Sequence, residues 1–153
     1  MCVYENLKKL GIELPPSPPK GGVYVPVKKA GNLLFTAGQG CTLNGVPVVH
    51  GKAGADVTLE EAQKAARIAA LNMLSILNDY TGDLNRIKNV VKILGFVASA
   101  PGFGNQPQVM NGASQLLVDV FGEAGQHARS AIGTNELPGN ITVEIEGVFE
   151  LEE

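Results

Sequence analysis

Arg129 and Glu144 are the pair of residues in this sequence whose types and spacing best suit chemistry. They lie in the stretch from His127-Ala128-Arg129-Ser130-Ala131 through Leu137-Pro138-Gly139-Asn140 to Val143-Glu144-Ile145-Glu146. It reads as a strand, a Pro-Gly-Asn turn and a long closing strand, because those turn residues favour chain reversal between two β-rich runs. Arginine presents a planar fork of donors that matches a carboxylate bidentately, a geometry lysine lacks. A glutamate opposite it is suited to orienting a water and shuttling protons. Together they would hold a small carboxylate-bearing molecule beside a water. The plainer reading of the same two residues is an Arg–Glu salt bridge at an interface.

The elements that position them follow from periodicity. Along the closing strand Ile141, Val143, Ile145, Phe149 and Leu151 alternate with Thr142, Glu144, Glu146 and Glu150, so Glu144 points away from the core. The clearest helix is predicted over 59–80. Thr58 and Glu61 make a capping box, Ala62, Ala66, Ala69, Met73, Ile76 and Tyr80 form one stripe, and Gly82 ends it. A second helix spans about 107–121, with Val109, Leu116, Leu117 and Val120 inward and Gly122 as its stop. Residues 89–98 form a strand apolar on both faces, Val91, Ile93 and Val97 against Val90, Leu94 and Phe96. One helical layer covers one face, so the other is expected to meet a partner subunit.

Residues 23–28 and 33–39 are predicted to form a hairpin across 29–32, followed by a short extended piece over 46–50. Gly38-Gln39-Gly40 at its end reads as a bulge or turn that permits close backbone approach, and no third glycine makes it a dinucleotide fingerprint. At the N-terminus a short helix over 2–10, with Val3, Leu7 and Leu10 on one side, stops at Gly11. The proline-rich run 14–22 is an extended connector rather than a ligand for an aromatic groove. The expected order is β-β-α-β-α-β-β: one α+β domain over 1–153, with 1–21 as an extension and 22–153 as the core.

At 153 residues and 44% hydrophobic content the chain can bury its own core. A net charge of −3, with lysines scattered as Lys8-Lys9, Lys28-Lys29 and Lys88/Lys92, argues against a nucleic-acid groove. No run is apolar enough to cross a membrane, and the first residues do not resemble a signal peptide. Cys2 and Cys41 make no framework, so a reduced, cytoplasmic chain is the expectation. The two histidines, His50 and His127, lack a third ligand at metal spacing, so no metal site is expected. His127 is read as a polar residue at a cleft edge or in a turn, and Cys41 as a free thiol without a partner base.

The sequence resembles the RidA/YjgF family of reactive-intermediate (imine/enamine) deaminases, also known as L-PSP endoribonucleases. The resemblance is carried by Gly31–Gln39, Val90-Val91-Lys92-Ile93, Val109-Met110-Asn111 and, above all, Ala128–Ala131 through Leu137-Pro138 to Val143–Glu146. It implies a chorismate-mutase-like (ferredoxin-like) α+β sheet with two helices on one face, and a homotrimer with a cleft at each subunit interface. By the same resemblance Arg129 binds the substrate carboxylate and Glu144 positions water, while Tyr24, Gly38 and Asn111 line the cleft. Ala37 and Ala131 stand where serine and cysteine are common in the family. The implied function is hydrolysis of 2-imino or enamine acids to 2-keto acids and ammonia, a reaction that requires no metal or organic cofactor. The alternatives are a non-catalytic trimer binding a small carboxylate metabolite and, as a minor reading, an endoribonuclease or translation inhibitor.

Overall fold

Thr58 opens the longest helix, α2 (Leu59–Thr81), through both hydrogen bonds of a capping box. The Glu61 amide donates to Thr58 Oγ1 at 3.2 Å, and the Thr58 amide donates to the Glu61 carboxylate at 2.8 Å. Gly82 ends the helix with φ +72°, a conformation that costs glycine little. The computed structural model describes residues 2–153. In it Ala62, Ala66, Ala69, Met73 and Ile76 are buried as the stripe predicts, whereas Tyr80 is exposed and the adjacent Thr81 is buried in its place. The neighbouring α3 (Gln106–Phe121) buries Val109, Met110, Ala113, Leu116, Leu117 and Val120. Gly112 lets the two helices touch: a β-carbon there would collide with the Gln63 backbone carbonyl. Alanine-rich α2 and this glycine bring the pair close enough to roof one sheet face.

That sheet contains β1 (Val27–Ala30), β2 (Leu33–Thr36), β3 (Gln39–Gly40), β6 (Ile87–Ala98), β7 (Ala128–Thr134) and β8 (Val143–Leu151). A separate ribbon pairs β4 (Thr42–Leu43) with β5 (Val46–Pro47). The order across the large sheet is β1-β2-β8-β6-β7, with β3 paired to the far end of β8. β6 and β7 are parallel, linked through α3, and the other pairings are antiparallel. This is the expected α+β arrangement, with both long helices on one face. Along β8 Val143, Ile145, Phe149 and Leu151 are buried, and the four residues between the inward ones, including Glu144, are only half-buried.

Two details depart from the sequence reading. In β6 the residues Val90, Ile93 and Val97 share the core face, and Val91 is exposed, the reverse of the predicted faces at 90 and 91. The register slips between Val90 and Lys92 opposite β8, and one extra residue flips the alternation upstream of it. The first hairpin is also shorter than predicted. Val23, Tyr24 and Val25 lie outside any strand and are exposed, and the Gly21 amide donates to the Tyr24 hydroxyl at 2.8 Å, folding that segment back on itself. The second arm breaks at Ala37-Gly38. Phe35 faces Val148 but Gln39 faces Ile145, so four steps on one strand span three on the other, a one-residue bulge.

The N-terminal helix, α1 (Val3–Lys9), docks against α3 and the turn that follows α2, and its Tyr4 hydroxyl donates to Asn78 Oδ1 of α2 at 2.6 Å. The Asn6 side-chain amide donates to the Val120 carbonyl at 2.8 Å, and the Val3 amide donates to Asn85 Oδ1 at 2.8 Å. The proline-rich run that follows is tied to α2 by Ser75, whose hydroxyl donates to the Pro15 carbonyl at 2.7 Å. On the sheet face away from the helices, Phe35, Val91 and Ile132 are exposed and Leu94, Phe96 and Val148 half-buried, leaving that face apolar and uncovered within one chain.

Candidate functional site

Arg129 projects from β7 toward α3. One Nη1 N–H donates to Asn111 Oδ1 at 2.9 Å and the other to Ser114 Oγ at 3.1 Å, while Nη2 donates to the Pro107 carbonyl at 3.1 Å. Asn111 and Ser114 are three residues apart on α3, and Pro107 lies in its first turn, so one helix face supplies every acceptor. All three acceptors are neutral. Among the described residues no carboxylate pairs with Arg129, and its Nε N–H and one Nη2 N–H make no hydrogen bond. The result is an oriented, half-buried guanidinium with donors to spare and no counter-charge, which is what an incoming anion requires.

Glu144 projects from the opposite face of the sheet. It pairs with Phe96 across β6 and with Gly40 of β3, downstream of the Ala37-Gly38 bulge. The bulge brings the backbone onto the carboxylate: a β-carbon at Gly38 would lie 2.8 Å from Glu144 Oε2. Among the described residues Glu144 accepts no side-chain or amide hydrogen bond that would hold it as an anion. Burial chiefly, and then the neighbouring Glu146 charge, push its carboxyl above the ordinary glutamate value. A cavity of about 300 Å³ opens here, lined by Glu144, Gly38, Tyr24, Lys20, Pro138 and Ile141 among others. The closing turn and the proline-rich segment thus supply two of its walls.

The five residues predicted for the site therefore divide. Glu144, Gly38 and Tyr24 share the cavity, and Arg129 and Asn111 share the other sheet face. The pairings Ile93↔Arg129 and Phe96↔Glu144 place the two charged residues two strands and three residues apart, about 14 Å between Cα atoms. An odd offset along a strand also puts them on opposite faces. Within one chain they neither form a salt bridge nor bound a common cleft, so the interface salt bridge is absent from the single chain.

Several lining residues escaped the sequence reading. Ser114 sits one helical turn from Asn111, a spacing that would have flagged it had the helix been read for a polar face. Pro18, Pro19 and Lys20, part of the extended connector by sequence, border the Glu144 cavity. His127 does lie near the site: its Nε2 is 2.9 Å from Ser114 Oγ and its Nδ1 2.6 Å from the Gly125 carbonyl. Cys41 is fully buried, its Sγ donating to the Val49 carbonyl at 3.1 Å, away from any base. Among the described residues no three His, Cys, Asp or Glu side chains gather as a metal site, and no helix is long and apolar enough to cross a membrane.

Comparison with known proteins places the chain in a family. A family model described as "YjgF/chorismate mutase-like, putative endoribonuclease" matches residues 5–148, and so includes the proline-rich run. Protein TCP17 of Trypanosoma cruzi is 41% identical over 150 residues, covering 97% of this chain and 94% of that protein. The crystal structure of Atu1372 from Agrobacterium tumefaciens, a protein of unknown function, superposes with a TM-score of 0.90 at 42% identity, covering 99% of this chain and 93% of that one. Escherichia coli TdcF with bound serine shares the fold alone, at a TM-score of 0.65 and 19% identity over 93% of this chain and 98% of that one.

Proposed function

The chain belongs to the YjgF/chorismate mutase-like family, and from that premise we propose that it hydrolyses reactive 2-imino or enamine acids to 2-keto acids and ammonia in clefts between subunits. The observation that carries the proposal is the pair of half-sites: an anion-seeking Arg129 and a half-buried Glu144, its carboxyl pushed above the ordinary glutamate value by burial, which one chain keeps on opposite sheet faces. They complete one another only where two copies meet, and the exposed apolar face bearing Phe35, Val91 and Ile132 is the surface over which copies would assemble. A cyclic homotrimer repeats such a cleft three times.

In that cleft Arg129 binds the carboxylate through its unused Nε and Nη2 donors, which sets the adjacent C=N carbon at a fixed distance from the opposing subunit's Glu144. Glu144 accepts a proton from water as the water oxygen bonds to that carbon. The proton passes to the imine nitrogen to give the carbinolamine. Glu144 then takes the carbinolamine hydroxyl proton and delivers it to the same nitrogen, so that the C–N bond breaks and ammonia leaves as the C=O bond forms. The sum is one imino acid and one water converted to one keto acid and one ammonia. A carboxyl with a raised pKa suits both acceptance and return of the proton. Tyr24 and Gly38 shape the pocket, Gly38 by leaving room for the carboxylate. TdcF, with its bound serine, supports a small carboxylate as the ligand of this fold.

The test is a trapping assay. An amino-acid oxidase generates 2-iminopropionate in situ, semicarbazide traps the imine, and loss of trapped product is followed for wild type and Arg129→Ala. Diversion of imine to pyruvate by wild type and not by the variant supports the reading. Trapping unchanged by wild type overturns the catalytic part and leaves carboxylate binding as the function.

A further inference from the structure

The hydrogen bonds behind Arg129 have a direction that the chemistry of their ends imposes. Arginine only donates and a carbonyl only accepts. The Gly125 carbonyl, 2.6 Å from His127 Nδ1, therefore requires the proton on Nδ1. The Arg129 Nη1 donor, 3.1 Å from Ser114 Oγ, requires that oxygen to accept. The Ser114 hydroxyl proton is then free to be donated to His127 Nε2 at 2.9 Å, which accepts as the lone-pair nitrogen of a neutral ring. We propose that Ser114 and His127 are positioning residues, forming a one-way chain from Arg129 through Ser114 and His127 to the Gly125 carbonyl that fixes the plane of the guanidinium and keeps its Nε edge open for the substrate carboxylate.

The surroundings favour the neutral ring on which the chain depends. Burial first, and then the Arg129 charge, lower the His127 pKa below the ordinary histidine value, with the Gly125 hydrogen bond opposing them. No carboxylate pairs with the imidazole among the described residues. Asp119 of α3 accepts from Gln115 at 2.8 Å, and Glu123 in the turn after α3 is exposed. The far end of the chain is rigid too: a β-carbon at Gly125 would collide with the α3 backbone at Leu117 and Val118, so the carbonyl that accepts from His127 is wedged against the helix. The helix and the turn after it thereby hold Arg129 from behind, while Asn111 and the Pro107 carbonyl hold it from the side.

The proposal rests on Arg129 as the carboxylate anchor, so its test uses two separate readouts. The first is long-range 1H–15N NMR of the His127 ring together with the Arg129 Nε–H signal. The Nδ1–H tautomer at neutral pH is expected, with the Arg129 signal sharp in wild type and broadened in Ser114→Ala. The ring's titration midpoint should rise in Arg129→Gln. The second is calorimetric affinity for pyruvate. Ser114→Ala and His127→Asn, which keeps only the Nδ1-like donor, should each weaken binding about 5- to 10-fold, as expected for losing one ordinary hydrogen bond. His127→Gln offers an acceptor near the position of Nε2 and should stay within about 2-fold of wild type. A ring protonated on Nε2 at neutral pH, or His127→Asn binding pyruvate as tightly as wild type, overturns the chain. If wild type fails to bind pyruvate, the anchor reading fails, and the tautomer together with the Arg129 signal decides the chain by itself.

Discussion

Arg129 and Glu144 have opposite charges on opposite faces of the same sheet, and the chain treats them differently. Around Arg129 three neutral acceptors orient the side chain, and a fourth residue stands behind one of them. Around Glu144 no donor comes forward; burial holds the carboxyl toward its protonated form. The arginine side is thus organised before any ligand arrives, at the cost of little, because neutral acceptors leave its charge available. The glutamate side stores desolvation, which an ordinary ion pair would have relieved. An orienting site and a proton-transfer site need these opposite treatments, and separating them within one chain prevents them from neutralising each other.

The contrast predicts unequal consequences. Arg129→Ala should cost the most, lowering both pyruvate affinity and imine turnover by about 100-fold or more, since a bidentate charge-assisted contact is removed. Arg129→Lys should recover little of it. Thermal stability should hold, because no carboxylate is orphaned. Glu144→Gln should remove turnover to a comparable degree while leaving pyruvate affinity within about 2-fold, as measured by trapping and calorimetry on the same preparations. A matching loss of affinity would mean that Glu144 binds rather than reacts. The rate in wild type should fall as pH drops through the raised Glu144 pKa, and that limb should vanish in the variant.

Gly38→Ala comes next. Its methyl would lie 2.8 Å from Glu144 Oε2 and displace the carboxylate, for a loss of about 10-fold in turnover with affinity nearly kept. Smaller again is the deficit left by complementation. Arg129→Ala and Glu144→Gln chains co-assembled at random should regain about a quarter of wild-type turnover, because one cleft in four then takes both intact residues from different copies. No recovery would show that each cleft draws both residues from one chain.

The smallest effect is on stability. A raised carboxyl pKa means that the folded state binds the proton more tightly than the unfolded state does. Its stabilising contribution is full below the ordinary value of 4.5 and is lost as pH rises through the raised one. Glu144→Gln escapes that loss, so its melting temperature should exceed that of wild type at neutral pH by a margin that disappears toward pH 4.

Most of the fold was legible because its signals are local. The Thr58–Glu61 capping box, the alanine stripe of α2 and the alternation of β8 each specify an element within a few residues. The errors fall where one residue changes a register. The bulge between Val90 and Lys92 exchanged two faces of β6, and the break at Ala37-Gly38 shortened a strand while aiming backbone at Glu144. A bulge depends on the partner strand, which periodicity along one strand does not register. Of the site, the two charged residues were visible from their types. Ser114 was not, since a serine inside an apolar helix reads as tolerated filler until the guanidinium that it accepts from is in view.

The sequence by itself determined which side chains have the chemistry, an arginine fork and a strand carboxylate, and on which side of its strand Glu144 emerges, because side-chain period is a property of the backbone alone. Only the tertiary structure decided that they stand on opposite faces, that α3 supplies the acceptors for one, and that a bulge and a proline-rich wall enclose the other. Those outcomes depend on strand order, with β6 inserted between β7 and β8, and strand order is set by long-range packing that no local pattern encodes.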